Sequence, residues 1–237
     1  MFHFKQFSVQ HAQSLLKVGT DAVLLGALME AIPDDERALD VGTGCGIIAL
    51  MAAQRFPQLQ IDALDPDEKS TEEAALNFEH SPFASRLHCY TQSFQEYQAS
   101  TRYDLIFSNP PYFEVPHFER GNNLQDIGPG RKAAATQSTL TFSEFWNKVP
   151  ALLKPDGSVW VILPTFMTDA FSDEAGNSGF HLQKRIDVQS KESKPPIRSV
   201  LCYNKKQSSV QVCNMVLYNA DGSRHPQYHE LTSDFYL

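Results

Sequence analysis

The sequence predicts an α/β protein built on a doubly wound, mostly parallel sheet with an antiparallel C-terminal edge, and three observations carry that expectation. Between residues 38 and 163, short apolar runs alternate with helix-like segments at the spacing of βαβ units. The first run ends in a glycine-rich turn, "DVGTGCG", which leads straight into a stretch of good helix formers. After residue 163 the alternation gives way to strand-like runs joined by polar turns, as at an antiparallel edge.

In chain order, "LKVGTDAVLLGALMEAI" (15–32) is apolar nearly all round and reads as a buried helix with Thr20 as its N-cap. Residues 38–42 form a short strand ending in glycine, 47–55 a helix and 61–65 the next strand. The segment 67–80 is an amphipathic helix with acids in its first turn, where the macrodipole favours them. Strands follow at 86–91 and 103–108, then a helix at 142–153 that Pro150 must kink or shorten. "KPDG" (154–157) is expected to be a turn before a buried strand at 158–163. A helix over 165–175 and strand-like runs near 181–189, 199–204 and 209–219 complete the chain. We expect one domain over 1–237, divided into an N-terminal segment (1–37), a ligand-binding core (38–163) and a C-terminal sheet edge (164–237).

Composition narrows the function classes. The 42% apolar content supports a sizeable core, and no run approaches the roughly 18 continuous apolar residues of a membrane span. The start of the chain lacks the pattern of a signal peptide, so a soluble cytoplasmic protein is expected. Cys45, Cys89, Cys202 and Cys213 are scattered without a C-x-x-C pair, as expected of small buried hydrophobes. His225 and His229 are four apart, but Pro226 separates them and no third ligand is evident, so no metal is expected. The net charge of −8 opposes nucleic-acid binding on its face. Its distribution is uneven: Lys184, Arg185, Lys191, Lys194, Arg198, Lys205 and Lys206 face only Asp187 and Glu192 within 184–206. That run is either a solvated face or a patch for phosphates, with Lys205 and Lys206 as its test positions.

Three motifs carry chemistry. In Asp40-Val41-Gly42-Thr43-Gly44-Cys45-Gly46, alternate glycines let backbone approach a ligand at a helix N-terminus. The spacing is G-x-G-x-G after an acid, not the G-x-G-x-x-G of dinucleotide folds. A carboxylate there suits a ligand with positive charge, and S-adenosylmethionine (AdoMet) carries an ammonium and a sulfonium. Asp65, 19 residues past Gly46, ends the second strand, where its two oxygens can accept both hydroxyls of a ribose. Asp67 competes for that role but is better placed to cap the following helix. The third motif is Asn109-Pro110-Pro111-Tyr112, at the carboxyl end of a parallel strand. A specific four-residue match has a chance on the order of one in a thousand in a chain this long. An exocyclic aromatic amine is a poor nucleophile because its lone pair is delocalised into the ring. Hydrogen bonds to the Asn109 side-chain oxygen and the Pro110 carbonyl would draw that nitrogen toward tetrahedral geometry. Proline stiffens the chain and aims the carbonyl outward, and Tyr112 offers a ring for a base to stack on, at ~1–3 kcal/mol.

Taken together, Asp40 to Gly46, Asp65 and Asn109 to Tyr112 resemble a class I AdoMet-dependent methyltransferase of the amino-methylating group. With "FKQF…LKVGTDAVLLGA" near the start and "KPPIRSVL" at 194–201, the chain resembles the bacterial tRNA(Val) adenine-N6 methyltransferases over nearly its whole length. The resemblance implies a Rossmann-like fold with a seven-strand sheet and methylation of N6 of the adenosine just 3′ of the tRNA anticodon. It implies that Asp40, Gly42, Gly44 and Gly46 hold the methionine part of AdoMet and Asp65 the ribose. Asn109, Pro110 and Tyr112 would hold the target adenine, with Pro111 beside it. Lys17, Gly19, Thr20 and Asp21 match an N-terminal motif that packs over the cofactor. Arg131 and Lys132 match a basic position able to reach tRNA phosphates. One departure stands out: the family commonly has an acid after the third strand to bind the cofactor amine, where this chain offers Ser93 and Phe94, leaving a hydrogen bond from Ser93 to bind the cofactor. A monomer acting on tRNA is expected.

Four rivals compete with this reading. A protein glutamine-N5 methyltransferase uses the same Asn-Pro-Pro-Tyr motif on an amide, but needs a helical domain that about 37 N-terminal residues cannot form. A DNA adenine methyltransferase would need a separate target-recognition domain. A non-catalytic nucleotide-binding module or an NAD-dependent oxidoreductase stands further off, the latter lacking its glycine spacing.

Overall fold

The computed structural model describes residues 1–14, 17–110 and 140–237. Among them, a small antiparallel pair, β1 (Phe2–His3) and β2 (Ser8–Val9), precedes α1 (Thr20–Leu28). Then come β3 (Arg37–Val41), α2 (Ile47–Arg55), β4 (Gln60–Asp65), α3 (Glu68–Glu79), β5 (Leu87–Thr91) and β6 (Tyr103–Ser108). The rest comprises α4 (Phe142–Leu152), β7 (Leu153–Pro164), α5 (Thr168–Asn177), β8 (His181–Gln189), β9 (Pro196–Asn204), β10 (Gln211–Val216) and α6 (Pro226–Thr232). Eight described strands form one sheet in the order β10-β8-β9-β7-β6-β3-β4-β5. The chain winds outward from β3 through β4 and β5 on one side, then returns to β6 and winds the other way. The order therefore reverses between β3 and β6, and a crevice opens outside their carboxyl ends.

The doubly wound expectation holds, with three corrections. The sheet has eight described strands, not seven, and only β9 runs against the others. It sits inside the sheet, between β7 and β8. The outer strand β10 pairs in parallel with β8 because the chain passes the start of β8 to its far side instead of folding back on β9. Second, α1 starts at Thr20, so the N-cap is Gly19, whose extended φ of −140° makes no side-chain cap bond. The helix stops at Leu28, short of the expected Ile32, where Met29 turns to extended backbone (ψ 152°). Third, the 154–157 turn lies within β7. Tyr103 pairs with Leu153 and Leu105 with Ser158, so the four residues between them bulge out of register. Gly157 allows this, because a Cβ there would lie 2.8 Å from the Asp104 carbonyl oxygen.

The sheet separates two cores. One packs α1, α2 and α3 against it, with Leu24, Leu25, Leu50 and Met51 fully buried. The other holds Trp146, Phe145, Phe171, Phe180 and Tyr203 in ring contacts beneath α4 and α5. Thr141 and Glu144 form a capping box that starts α4, and the helix ends at Leu152, two residues after Pro150. Cys45 and Cys202 are buried as expected, whereas Cys89 and Cys213 are only half-buried; all four are free thiols.

Candidate active site

The glycine loop follows from β3 being buried on both faces. Its last residues carry the chain to the sheet edge, where it must turn at once into α2. Gly42, Gly44 and Gly46 take φ of +75°, +55° and +82°, the left-handed region that favours glycine. They do different work. A Cβ on Gly46 would meet Phe78 Cε1 at 2.5 Å, so this glycine lets α2 pack against α3. A Cβ on Gly42 would meet nothing within 4 Å, so this glycine faces open space. The Gly42 and Thr43 N–H groups donate to the Leu64 carbonyl, tying the loop to the end of β4.

Two acids lie at this loop. Asp65 ends β4 and accepts from Gly44 N (2.9 Å) and Asp67 N (3.0 Å), one bond to each oxygen. Each oxygen keeps a lone pair for a ribose hydroxyl. Burial raises its pKa, against the pull of those two bonds. Asp67 caps α3 through Ser70 N, as its sequence position suggested. Asp40 has no accessible surface, and its Oδ2 accepts from the Thr43 hydroxyl at 2.7 Å. Asp40 is thus wholly buried at the start of the loop, its Oδ1 without a hydrogen-bond partner. Burial pushes its pKa up to about 7, opposed by the Thr43 bond and reinforced by the charge of Asp65. Neither acid has an ion-pair partner among the described residues. Two acids with no cation of the protein beside them disfavour a pyrophosphate, and a cationic ligand favours their ionised form.

Asn109 stands across the crevice. Val41 and Ser108 pair at the ends of β3 and β6, and the Ser108 hydroxyl donates to the Val41 carbonyl at 2.7 Å. The next residue on each strand is Gly42 and Asn109. Asn109 is 7% exposed, and its side-chain oxygen is buried without a hydrogen-bond partner. A buried acceptor left unmatched costs about 1–3 kcal/mol, which an incoming donor recovers. Pro110 is buried beside it. Pro111, Tyr112, Arg131 and Lys132 lie outside the described residues.

The Methyltransferase small domain family model matches residues 9–123. A Proteus mirabilis protein named tRNA1(Val) (adenine(37)-N6)-methyltransferase is 36% identical over 243 aligned residues, covering 100% of this chain and 93% of that one. A Yersinia pestis protein of the same name is 35% identical, covering 100% and 93%. The chain belongs to the tRNA1(Val) (adenine(37)-N6)-methyltransferase family. Solved structures agree on the fold. A predicted O-methyltransferase from Agrobacterium tumefaciens superposes with a TM-score of 0.67 at 14% identity, covering 91% of this chain and 96% of that one. A Pyrococcus furiosus methyltransferase gives 0.61 at 20% identity, covering 85% and 90%. This family member thus has the Rossmann-like class I methyltransferase fold, a class that in general depends on AdoMet.

The open side of Gly42 and the spare lone pairs of Asp65 suit a ribose-bearing ligand, and the buried Asp40 carboxyl lends a negative potential to a cationic one, so the residues fit AdoMet. Other expectations for this family member fare unevenly. Ser93 does not present a free hydroxyl, since it donates to Glu96 Oε2 at 2.8 Å in a local turn. Lys17 and Thr20 are exposed and Gly19 half-buried, whereas Asp21 is buried and pairs with Arg198 at 2.8 Å. That bond joins the two terminal motifs of the resemblance. Lys205 and Lys206 are not brought to the crevice. They lie four and five residues past Leu201, the β9 residue level with Ser108, and so about 13–17 Å toward the opposite sheet edge. Lys206 faces Asp156 at 3.7 Å, and Lys205 lies over the Phe180 ring.

Sequence reasoning missed the clamp that fixes the N-terminal segment. Glu73 on α3 accepts from the N–H groups of Ala12, Gln13 and Ser14 and from the Ser14 hydroxyl (2.6 Å). Burial works to raise its pKa, but these bonds outweigh it and the pKa is lowered. Asn77, one turn on, bonds both backbone groups of Gln10 and donates to the Cys45 carbonyl inside the glycine loop. Ser108, the strand-end tie, was missed as well. Among the described residues, no helix is long and apolar enough to cross a membrane, and no group of His, Cys, Asp and Glu is arranged to hold a metal.

Proposed function

We propose that this protein methylates N6 of adenosine 37 in tRNA, with AdoMet as donor, as its full-length relatives are named for doing. One observation carries the reading at the site: the Asn109 side-chain oxygen is a buried, unmatched acceptor beside the open face of Gly42. An exocyclic amine is a donor that fills it, and accepting its proton in a hydrogen bond localises the nitrogen lone pair. The Pro110 carbonyl would take the second N–H, while Tyr112 and Pro111 would cover the ring. AdoMet supplies a methyl group on a positively charged sulfur. Asp65 would hold its ribose, Gly42 and Gly44 would pass close to it, and Asp40 would set a negative potential beneath its ammonium. Fixing the amine against that group converts an encounter into a positioned reaction, the source of most of the rate. An adenosine in a tRNA loop must be turned out of its stack to enter such a crevice. A tRNA substrate assigns the reaction to the cytoplasm.

The test is incubation with labelled AdoMet and unmodified tRNA, then mass spectrometry of the digested nucleosides. N6-methyladenosine is expected from the native protein and none from Asn109→Ala. Label in protein glutamine and none in RNA would overturn the reading in favour of the amide.

A further inference from the structure

The β8–β9 hairpin overhangs the candidate site. Ser108, at the end of β6, is level with Leu201, yet β9 begins five residues earlier, at Pro196 opposite Gln189. At the rise of a strand the hairpin projects about 17 Å past the end of β6, on the side where Asn109 lies. It stands two strands away from β6, about 10 Å across the sheet. Its tip, "SKESKPPIR" (190–198), carries Lys191, Lys194 and Arg198 against Glu192 alone, in a chain whose net charge is −8. Lys191 is anchored to the Ala220 carbonyl (2.8 Å), one residue from Asp221, and Lys194 is exposed at a tip that two prolines stiffen. At the foot of the hairpin, where Pro164 pairs with Arg198, β7 turns into a short 3₁₀ segment that presents Phe166 with 61% of its surface exposed.

We propose that this hairpin is the wall along which the tRNA loop docks, with its phosphates on Lys191 and Lys194 and the base beside the target adenosine on Phe166. The proposal rests on the tRNA reading and adds where the RNA lies. A flexible single-stranded loop is the partner that the surface fits, because it offers anionic phosphates and unstacked bases together. The same geometry removes Lys205 and Lys206 from the path, since β9 carries them to the opposite edge.

The test is fluorescence anisotropy of an unmodified tRNA transcript with the full-length protein at several salt concentrations, with AdoMet affinity and thermal melting measured in parallel. The double exchange Lys191→Glu with Lys194→Glu should weaken tRNA binding at least about tenfold and shallow the salt slope by about 1–2, at 0.7–0.9 per contact. AdoMet affinity and melting should stay as in the native protein. The same exchange at Lys205 and Lys206 should leave the slope where it was. Phe166→Ala should lower kcat/KM for tRNA by about five- to a hundredfold, the range for losing one stacked base. An unmoved slope in the first variant, or a moved one in the second, overturns the hairpin. Methylation by the native protein, assayed alongside, separates the two ideas: an active enzyme with an unmoved slope sinks the docking wall and leaves the reaction standing.

Discussion

Asp40→Asn isolates the charge beneath the glycine loop, and the structure says how large its effect should be. The Asp40 carboxyl has a pKa near 7 in the folded protein, raised by burial from an ordinary value of 3.8. Between those values the folded chain holds a proton that the unfolded chain has released, so stability falls as pH rises from about 4 to about 7. At 1.36 kcal/mol per unit, the full effect is on the order of 4 kcal/mol, an upper bound for a group whose surroundings can relax. Asparagine does not titrate. It also keeps an oxygen for the Thr43 hydroxyl, but its amide nitrogen enters the position where Asp40 Oδ1 has no partner, at a constant cost of about 1–3 kcal/mol. That constant cancels when one variant is followed across pH. Urea melts of native and Asp40→Asn proteins from pH 4.5 to 8, without cofactor, should therefore diverge by several kcal/mol, with the variant gaining as pH rises. Cofactor binding should move the other way. Calorimetric titration with AdoMet should show native affinity rising through pH 7 as the carboxyl ionises beneath a cation, and a weak, flat profile for the variant. Parallel melting curves would refute the buried acid; equal AdoMet profiles would refute its role under the ammonium.

Two further perturbations separate folding from binding. Gly46→Ala places a Cβ 2.5 Å from Phe78 at a φ of +82°, so melts should show a loss of about 2–4 kcal/mol; Gly42→Ala, at +75° with open space, should cost only about 1 kcal/mol but raise KM for AdoMet. Unchanged AdoMet affinity in Gly42→Ala would mean the ligand does not pass that glycine. Glu73→Ala leaves three backbone N–H groups without their acceptor and should cost about 2–4 kcal/mol, with faster hydrogen exchange confined to residues 10–14. Because the folded pKa of Glu73 is lowered, its contribution is full above about 4.5, the unfolded value, and fades as pH falls. A deficit that does not shrink in acid would exclude the charge as its source.

What the sequence could reveal followed from local chemistry. The helix at 47–55 and the strand at 103–108 are found at their expected bounds, because a run of good helix formers and a short apolar run before Asn-Pro-Pro need no distant partner to be recognised. The Asp67 cap is local too, since the N–H that donates to it, on Ser70, lies three residues on. The Glu73 and Asn77 clamp was out of reach: its bonds span about 60 residues, and glutamate and asparagine in an amphipathic helix look like any solvated face. Asp40 was recognised as an acid before a glycine turn, but its depth was not, because a strand covered on both faces offers no alternation from which to read direction.

The basic run at 184–206 shows most clearly why topology had to decide. Read as a sequence it is one patch, and its paired lysines at 205–206 look like the place to meet phosphate. Folded, it is a hairpin, and an antiparallel turn sends the tip of such a run to one edge of the sheet and both of its ends to the other. Its charges are then sorted by position. Lys184 pairs with Glu30, Arg185 with Asp187 and Arg198 with Asp21, so these three serve the fold. Lys205 and Lys206 end where the parallel strands begin, away from every residue of the crevice. The tip lysines remain, on the one part of the run that rises past Asn109. A negatively charged protein needs no basic face to bind RNA if a few cations stand where the loop must pass, and a rigid hairpin beside the switch point of the sheet supplies that placement.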